Sequence, residues 1–341
     1  MSELVDRSIL AQQLAPLRRT AVFTHVRPDS DALGAQVALS LLLTGRGAAC
    51  SILTLSELPS SLQFLAALAP TPPKPFSPAW AREHAGAALD GVIVVDTSAL
   101  EQMEPAREFL TALADKVLVV DHHLAGNMPC RSLWRDTSAA ACVEMIAELF
   151  EVWQTPLQRP AATALLAGLA GDTGWFRFDN VTPRTHELAA RLLRAGAAPA
   201  EIYAHLAQRE SRAKLDLIQT ALRSLQWFYD DRLAVMRLAQ ADLTACRAAP
   251  WQTEGLVDLP LTVASVVVVV LLTETPEGVI RASLRSKRDV DVNRISGRFG
   301  GGGHARAAGC RVPGPMPAAQ DALVRCLAES FQAEPCHIGE L

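Results

Sequence analysis

Three short apolar runs set the terms for any fold of this chain. AVFTH (21–25), GVIVVD (91–96) and KVLVVD (116–121) have the composition of buried strands, and each stops on a polar residue: His25, Asp96 and Asp121. SILTL (51–55) reads as a further strand. Helical spacing is seen at 4–18, from Asp31 to Thr44, and at 138–153, 160–171 and 184–195. Unbroken apolar runs suit strands buried on both faces, and strands alternating with helices suit βαβ units. The N-terminal part is therefore expected to be α/β, a mostly parallel sheet with flanking helices. Ligands of such sheets bind beyond the carboxyl ends of the strands, where these three residues stand.

The pattern changes after GAAPA (196–200). A charged helical stretch, 201–224, leads to strand-like segments at 225–229, 233–238, 261–273 and 279–285 and a last amphipathic helix over 317–331. Strands with few helices between them predict a smaller α+β domain. The expected division is 1–195, a helical linker or hinge at 196–224, and 225–341; a chain of 341 residues has room for two cores. APTPPKPFS (70–78) is too Pro-rich for a helix and is expected as loop or extended chain. The longest apolar run, LTVASVVVVVLL (261–272), is well short of the roughly 18 residues of a membrane span. The first 20 residues carry Glu3 and Asp6 and no apolar signal core, and the seven cysteines form no CxxC pair. The expectation is a cytoplasmic protein with reduced thiols and no membrane partner.

Four motifs carry the chemistry. His25-Val26-Arg27-Pro28-Asp29-Ser30-Asp31 places one imidazole and two carboxylates between a strand and a helix. Asp96 ends a second strand, Asp121-His122-His123 a third, and Gly171-Asp172-Thr173-Gly174 follows a helical run. Singly, an Asp here can be a helix cap or a turn residue. Together they supply five carboxylates and three imidazoles, which repel strongly at one sheet edge unless a cation sits among them. Carboxylate and imidazole without thiolate suit manganese or magnesium rather than structural zinc. A pair of such ions roughly 3.5–4 Å apart activates water and holds a phosphoryl group.

A second feature stands near the other end. Residues 281–311 hold eight Arg or Lys against two Asp, a local excess of basic charge in a chain of net charge −4. Four glycines, 300–303, leave backbone open to an anion, and His304 follows, with a helix or turn expected through ARAAG. The overall charge excludes a general nucleic-acid coater but not this local site. No GK[ST] follows the glycines, so a Walker-type loop is excluded.

HVRPDSDALGA, VIVVDTS, VVDHH and GLAGDTGWFRF resemble, in order and spacing, the four motifs of the DHH phosphoesterase superfamily. SLRS and GRFGGGGHARAAG resemble the DHH-associated C-terminal domain of its oligoribonuclease branch. The resemblance implies two manganese ions, one on His25, Asp29 and Asp96, the other on Asp31, Asp96, His122 and Asp172, with Asp96 shared. Asp121 would support the histidine pair, and His123 would contact the phosphate or assist the leaving oxygen, so that Asp96 and His123 carry catalysis. Arg285, Ser286, Gly302, Gly303 and His304 would bind the terminal phosphate or nucleotide across a cleft between the domains. Arg177, just after the fourth motif, is a further expected substrate contact, whereas Trp175 is expected to pack. The implied activities are hydrolysis of very short RNA to nucleoside 5′-monophosphates and of 3′-phosphoadenosine 5′-phosphate (pAp) to AMP.

Localised positive charge and only 18 aromatic residues also favour short substrates over a long single strand. The nearest competing activity is a phosphodiesterase for cyclic or linear dinucleotides such as c-di-AMP or pApA. A competitor of another class is a non-catalytic nucleotide-binding module. A RecJ-like long-strand exonuclease lacks room for its extra domain, and the glycine motif speaks against a pyrophosphatase. A homodimer is compatible with the chain. Ser30 stands where Gly is frequent in the family, Ala35 where Ser is frequent, and 136–146 lacks the usual Ser-Ser-Thr run. These departures spare every expected metal ligand.

Overall fold

The continuous apolar runs take the central places of a sheet that is covered on both sides. In the computed structural model, which describes residues 3–84, 88–287 and 290–332, the chain forms two compact units, Met1–Arg209 and Glu210–Leu341. The first holds seven strands: β1 (Glu3–Leu4), β2 (Arg19–Phe23), β3 (Ala49–Thr54), β4 (Lys74–Pro75), β5 (Gly91–Val95), β6 (Val117–Asp121) and β7 (Ser132–Arg135). Their order is β1-β7-β6-β5-β2-β3-β4 and every pairing is parallel.

Alternate residues of β5 explain its composition. Ile93 and Val95 enter the core beneath the helices Ser30–Gly45, Cys142–Val152 and Arg159–Asp172; Val92 and Val94 enter a second core with Phe109 and Leu110 of the helix Arg107–Ala112. A strand sandwiched in this way has no polar face to show. The strand order reverses at β2, with β3 and β4 on one side and β5, β6 and β7 on the other. That is the topological switch point at which α/β sheets open a crevice.

Two helices approach closely enough to require glycine. A Cβ at Gly34 would lie 2.6 Å from the Ala164 carbonyl oxygen, and one at Gly168 would lie 2.9 Å from Asp31 Oδ1. The helices Ser30–Gly45 and Arg159–Asp172 can therefore bring Asp31 and Asp172 to one place.

The second unit is a mixed sheet of β8 (Gln226–Phe228), β9 (Leu233–Leu238), β10 (Val268–Glu274), β11 (Ile280–Ser286), β12 (Gly302–His304) and β13 (Ala307–Val312). The order is β12-β13-β11-β10-β9-β8, with only β9 and β10 parallel. Val268, Val270 and Leu272 share a core with Ala319, Leu323 and Leu327 of the helix Met316–Gln332, while Val269 and Leu271 face Leu217 and Ala221 of the helix Arg212–Arg223.

Several expected elements differ. The helix expected at 4–18 is confined to Arg7–Leu14: Asp6 caps it, and Glu3–Leu4 instead pairs with β7. The strand expected at 261–273 starts only at Val268, because Leu256–Thr262 is a 3₁₀ segment containing Pro260, which has no N–H to give a sheet. The helix expected from 138 starts at Cys142, and β7 before it was not anticipated. After His304 the chain turns and forms β13 rather than a helix. The unit boundary falls inside the expected linker, between the helices Pro199–Ala207 and Arg212–Arg223. Among the described residues no helix is long and apolar enough to cross a membrane.

Candidate metal centre

Each motif reaches the crevice by a local cause. Asp29 caps the helix Ser30–Gly45: its Oδ1 accepts from the N–H groups of Asp31 (2.9 Å) and Ala32 (3.0 Å), which leaves Oδ2 uncommitted. Asp31, in the first turn of that helix, is fully buried and accepts from Cys142 N–H at 2.6 Å and Val143 N–H at 2.9 Å. Those donors are the free end of the helix Cys142–Val152, whose own cap residue, Ala141, has no polar side chain. Asp31 thus sits at two helix N-termini, a favourable place for negative charge. Asp96 follows β5 with a φ of 63°, a left-handed conformation that few side chains adopt and that turns its carboxylate off the strand.

The two inner histidines are oriented alike. His25 Nδ1 lies 2.9 Å from the Val26 carbonyl and His122 Nδ1 3.3 Å from that of Ala139, so each ring turns Nε2 inward. A backbone carbonyl on one ring nitrogen fixes the other as a ligand. His25 Nε2 is 3.5 Å from Asp96 Oδ2. His122 Nε2 is 3.3 Å from Asp96 Oδ1, 3.3 Å from Asp172 Oδ2 and 3.9 Å from Asp31 Oδ2. His123 is half exposed; its Nδ1 is 2.8 Å from Asp121 Oδ1 and 4.0 Å from Asp96 Oδ1.

Ligand atoms of His25, Asp29 and Asp96, of Asp31, His122 and Asp172, and of Asp96, His122 and His123 lie within 4.8 Å of one another in each trio. All six expected metal ligands thus converge. The third trio adds His123, which the resemblance assigned to the substrate.

The electrostatics fit a cation. Burial pushes Asp31 well above the usual carboxylate range, helped by Asp96 and Asp172. Burial and the charges of Asp96 and Asp29 push Asp172 up to about 7. Burial opposes charge on His25 and His122, yet Asp96 outweighs it and both rise to about 9. Asp96 goes the other way: burial would raise it, but His122 and His25 hold it low. Protons thus hold together what would otherwise be a cluster of like charges.

Two atoms are left over. Asp96 Oδ1 and His122 Nε2 are buried and make no hydrogen bond. They lie 3.3 Å apart as an ion pair without hydrogen-bond geometry, and a divalent ion would give both atoms a bonded partner. Cys142 is no competitor as a ligand, since its thiol faces the Val120 carbonyl at 3.5 Å and burial raises it well above the usual thiol range.

A model described as DHH family, N-terminal domain, matches residues 19–169, and a DHHA1 domain matches residues 248–332. A protein of Thermus thermophilus named bifunctional oligoribonuclease and PAP phosphatase NrnA is 30% identical over 295 residues, covering 86% of this chain and 84% of its own. The chain belongs to the DHH family of phosphoesterases. A protein of the same name from Bacillus subtilis is 28% identical over 293 residues, 84% of this chain and 87% of its own. Among solved structures, an exopolyphosphatase-related protein from Bacteroides fragilis shares the fold with a TM-score of 0.83, at 21% identity over 96% of each chain.

Within this DHH chain two of the three departures from the usual motifs have local explanations; nothing in the structure explains Ala35. The hydroxyl of Ser30 fits because Gly171 stands beside it; a Cβ there would lie 2.1 Å from Ser30 Oγ. The missing Ser-Ser-Thr run costs Asp31 nothing, since its two donors are backbone N–H groups. Trp175 packs against Tyr203, as expected, and exposed Arg177 donates through Nε to the Gly174 carbonyl at 2.6 Å.

The DHHA1 domain is less open than the sequence implies. Gly302, Gly303 and His304 are exposed but form edge strand β12. A Cβ at Gly301 would lie 2.2 Å from the Gly309 carbonyl oxygen, and one at Gly303 2.4 Å from that of Ala307, so the hairpin itself requires these two glycines. Arg285 Nε is 3.2 Å from Asp258, Arg298 pairs with Glu329, and Arg306 donates to the Val290 carbonyl, so part of the local charge is already engaged. Ser286 is buried, with its hydroxyl 2.6 Å from the Val290 carbonyl. Arg288 and Asp289 of this segment lie outside the described residues.

Sequence reasoning missed several residues that shape the centre. Asn180 donates to the carbonyls of Ala140 (2.9 Å) and Asp172 (3.0 Å), tying the fourth motif to the start of the helix Cys142–Val152. Arg184 pairs with Asp136 at 3.0 Å and Glu148 at 2.5 Å and lies 3.6 Å from buried Glu144. Ser98 reaches Asp121, and Arg135 reaches Ser98. Of these, only Ser98 had a signal in the sequence, two residues after Asp96.

Proposed function

We propose that this phosphoesterase uses two manganese ions to hydrolyse very short oligoribonucleotides to nucleoside 5′-monophosphates, and pAp to AMP and phosphate. The observation that carries the reading is the convergence of three ligand trios on Asp96 and His122, whose buried Oδ1 and Nε2 are in no hydrogen bond. The named activities of relatives spanning most of the chain support the substrate class. On this reading His25, Asp29 and Asp96 hold one ion, and Asp31, Asp96, His122 and Asp172 the other. When bound, such a pair lowers the pKa of water and neutralises phosphoryl oxygens.

The protein's own groups do the rest. Asp29 and Asp31 are held by helix N-termini, so their oxygens need not reorganise when charge develops. The Asp121 carboxylate fixes His123 by Nδ1 and leaves Nε2 for the substrate. Water oxygen bonds to phosphorus and releases a proton to solvent as the bond to the leaving oxygen breaks; protonated His123 gives that oxygen the proton on Nε2 and regains one from solvent, so that one water is consumed in all. Arg285, His304 and the glycine hairpin offer contacts for a substrate phosphate, with Gly302 and Gly303 offering backbone; Ser286 joins only if its hydroxyl leaves Val290, and Arg177 is a further substrate contact.

The test is a panel of pAp, 5′-phosphorylated di- and trinucleotides, pApA, c-di-AMP and a long single strand, with manganese and with chelator. Turnover of the first two classes that is lost in chelator is expected. Turnover of c-di-AMP alone would replace this reading with the dinucleotide phosphodiesterase. Asp96→Ala is expected to abolish turnover; unchanged turnover would refute the two-ion mechanism.

A further inference from the structure

Behind His123 runs a chain of hydrogen bonds that the two-ion reading does not use. Asp121 Oδ1 takes both the His123 backbone N–H (3.2 Å) and ring Nδ1 (2.8 Å), and its Oδ2 lies 2.5 Å from Ser98 Oγ. Ser98 Oγ is in turn 2.7 Å from Arg135 Nη2. Arg135 is the register partner of Asp121 on the neighbouring strand, yet its bond goes to the serine.

The polarity of this chain is fixed by what each group can do. Arginine only donates, so Ser98 Oγ accepts from it and directs its single proton to Asp121. The carboxylate then accepts from both sides, which requires a hydrogen on His123 Nδ1. The serine cannot drift: its carbonyl accepts from Asn127 N–H and Met128 N–H at 2.9 Å each, and a Cβ on Gly126 would lie 2.0 Å from Ser98 Oγ. The alternative for His123 is close, since Nδ1 is 4.0 Å from Asp96 Oδ1 and the ring can join Asp96 and His122 as a ligand set.

We propose that Ser98 and Arg135 are positioning residues that keep His123 Nδ1–H turned to Asp121 and away from the ions, so that Nε2, which carries a second hydrogen in the protonated ring, points to the leaving oxygen. The role of Nε2 rests on the proposed phosphoesterase mechanism; the orientation of the ring does not. The test uses full-length protein labelled with ¹⁵N-histidine, metal-free, with the tautomer of the neutral His123 ring read by NMR at alkaline pH. Wild type and Arg135→Lys should show the Nδ1–H form, and Ser98→Ala and Arg135→Met a mixture.

With manganese, Ser98→Ala and Arg135→Met should lose about 10-fold in kcat, with KM within about twofold, and Arg135→Lys should recover most of it. The loss should vanish on a nucleoside p-nitrophenyl phosphate, whose leaving group needs no proton. A wild-type tautomer in both Ser98→Ala and Arg135→Met overturns the proposal, as does a loss of equal size on both kinds of leaving group. Should wild type hydrolyse no phosphate ester, the mechanism fails while the NMR result still decides the positioning claim.

Discussion

Replacing Asp172 by Asn should stabilise the metal-free protein and ruin metal binding. Asp172 ends the helix Arg159–Asp172, where the dipole already disfavours negative charge. Burial, Asp96 and Asp29 then lift its pKa to about 7. Set against roughly 3.9 in an unfolded chain, at about 1.4 kcal/mol per unit, ionising it costs up to about 4 kcal/mol. The attraction of His122, 3.3 Å away, is already contained in that pKa; allowing for an imperfect fit of the amide, a gain of roughly 2–4 kcal/mol is expected.

The sign follows from proton counting. Between about pH 4 and 7 the folded protein binds more protons at this site than the unfolded one, so wild-type stability falls as pH rises. Asp172→Asn escapes that fall: it gains nothing near pH 4 and the full amount above pH 7. At roughly 2–4 °C per kcal/mol, the melting temperature in EDTA at pH 8 should rise by roughly 5–10 °C. With manganese at 100 times its dissociation constant the wild type gains about 2.7 kcal/mol and the variant little. Thermal unfolding at pH 5 and pH 8, with EDTA and with manganese, reads all of this. A variant less stable than wild type in EDTA at pH 8 would refute the idea that like charge is stored here.

Metal uptake should release protons, because His25 and His122, both raised to about 9, are protonated at pH 7 and must free Nε2. Calorimetry in buffers of different ionisation enthalpy should show this, with affinity strengthening from pH 6 to 9; heats independent of buffer would contradict it. Gly168→Ala should cost about 1–3 kcal/mol in urea unfolding and weaken manganese binding, since its Cβ would meet Val143 at 2.6 Å and Asp31 at 2.9 Å. A neutral result would mean the two helices can part freely. Arg184→Met should cost about 1–3 kcal/mol, allowing for its part exposure, because buried Glu144 and its neighbours Asp136 and Glu148 lose their shared cation; unchanged urea unfolding would show that the Ala140 N–H, 3.0 Å from Glu144 Oε2, suffices.

Much of the centre was legible because its residues end buried strands. A hydrophobic run that stops on His25, Asp96 or Asp121 locates both the strand and the sheet edge. Asp29 was legible as a helix cap. What escaped depends on pairing between distant segments. β7 holds only four residues, so no periodicity marks it, and Arg135 went unnoticed with it. Nothing in 136–146 says that its backbone N–H groups will seat Asp31, a contact 111 residues apart in the chain. In the run 261–273, apolar composition does not separate the strand from the end of a 3₁₀ segment at Thr262 and the turn that follows it before Val268. The glycines of 300–303 were read for an anion alone, whereas two of them also meet a steric demand of their own hairpin.

The pairing of β1 with β7 bears on how the molecule is made. Glu3 and Leu4 bond in register to Ser132 and Leu133, the far edge of the sheet. At ribosomal speeds of about 5–20 residues per second, the first strand must wait on the order of 10 s for its neighbour to be synthesised. Asp172 emerges later still. The nascent chain thus passes through a stage with a half-built sheet and no complete seat for an ion, so metal binding can help fold it only once Asp172 has emerged.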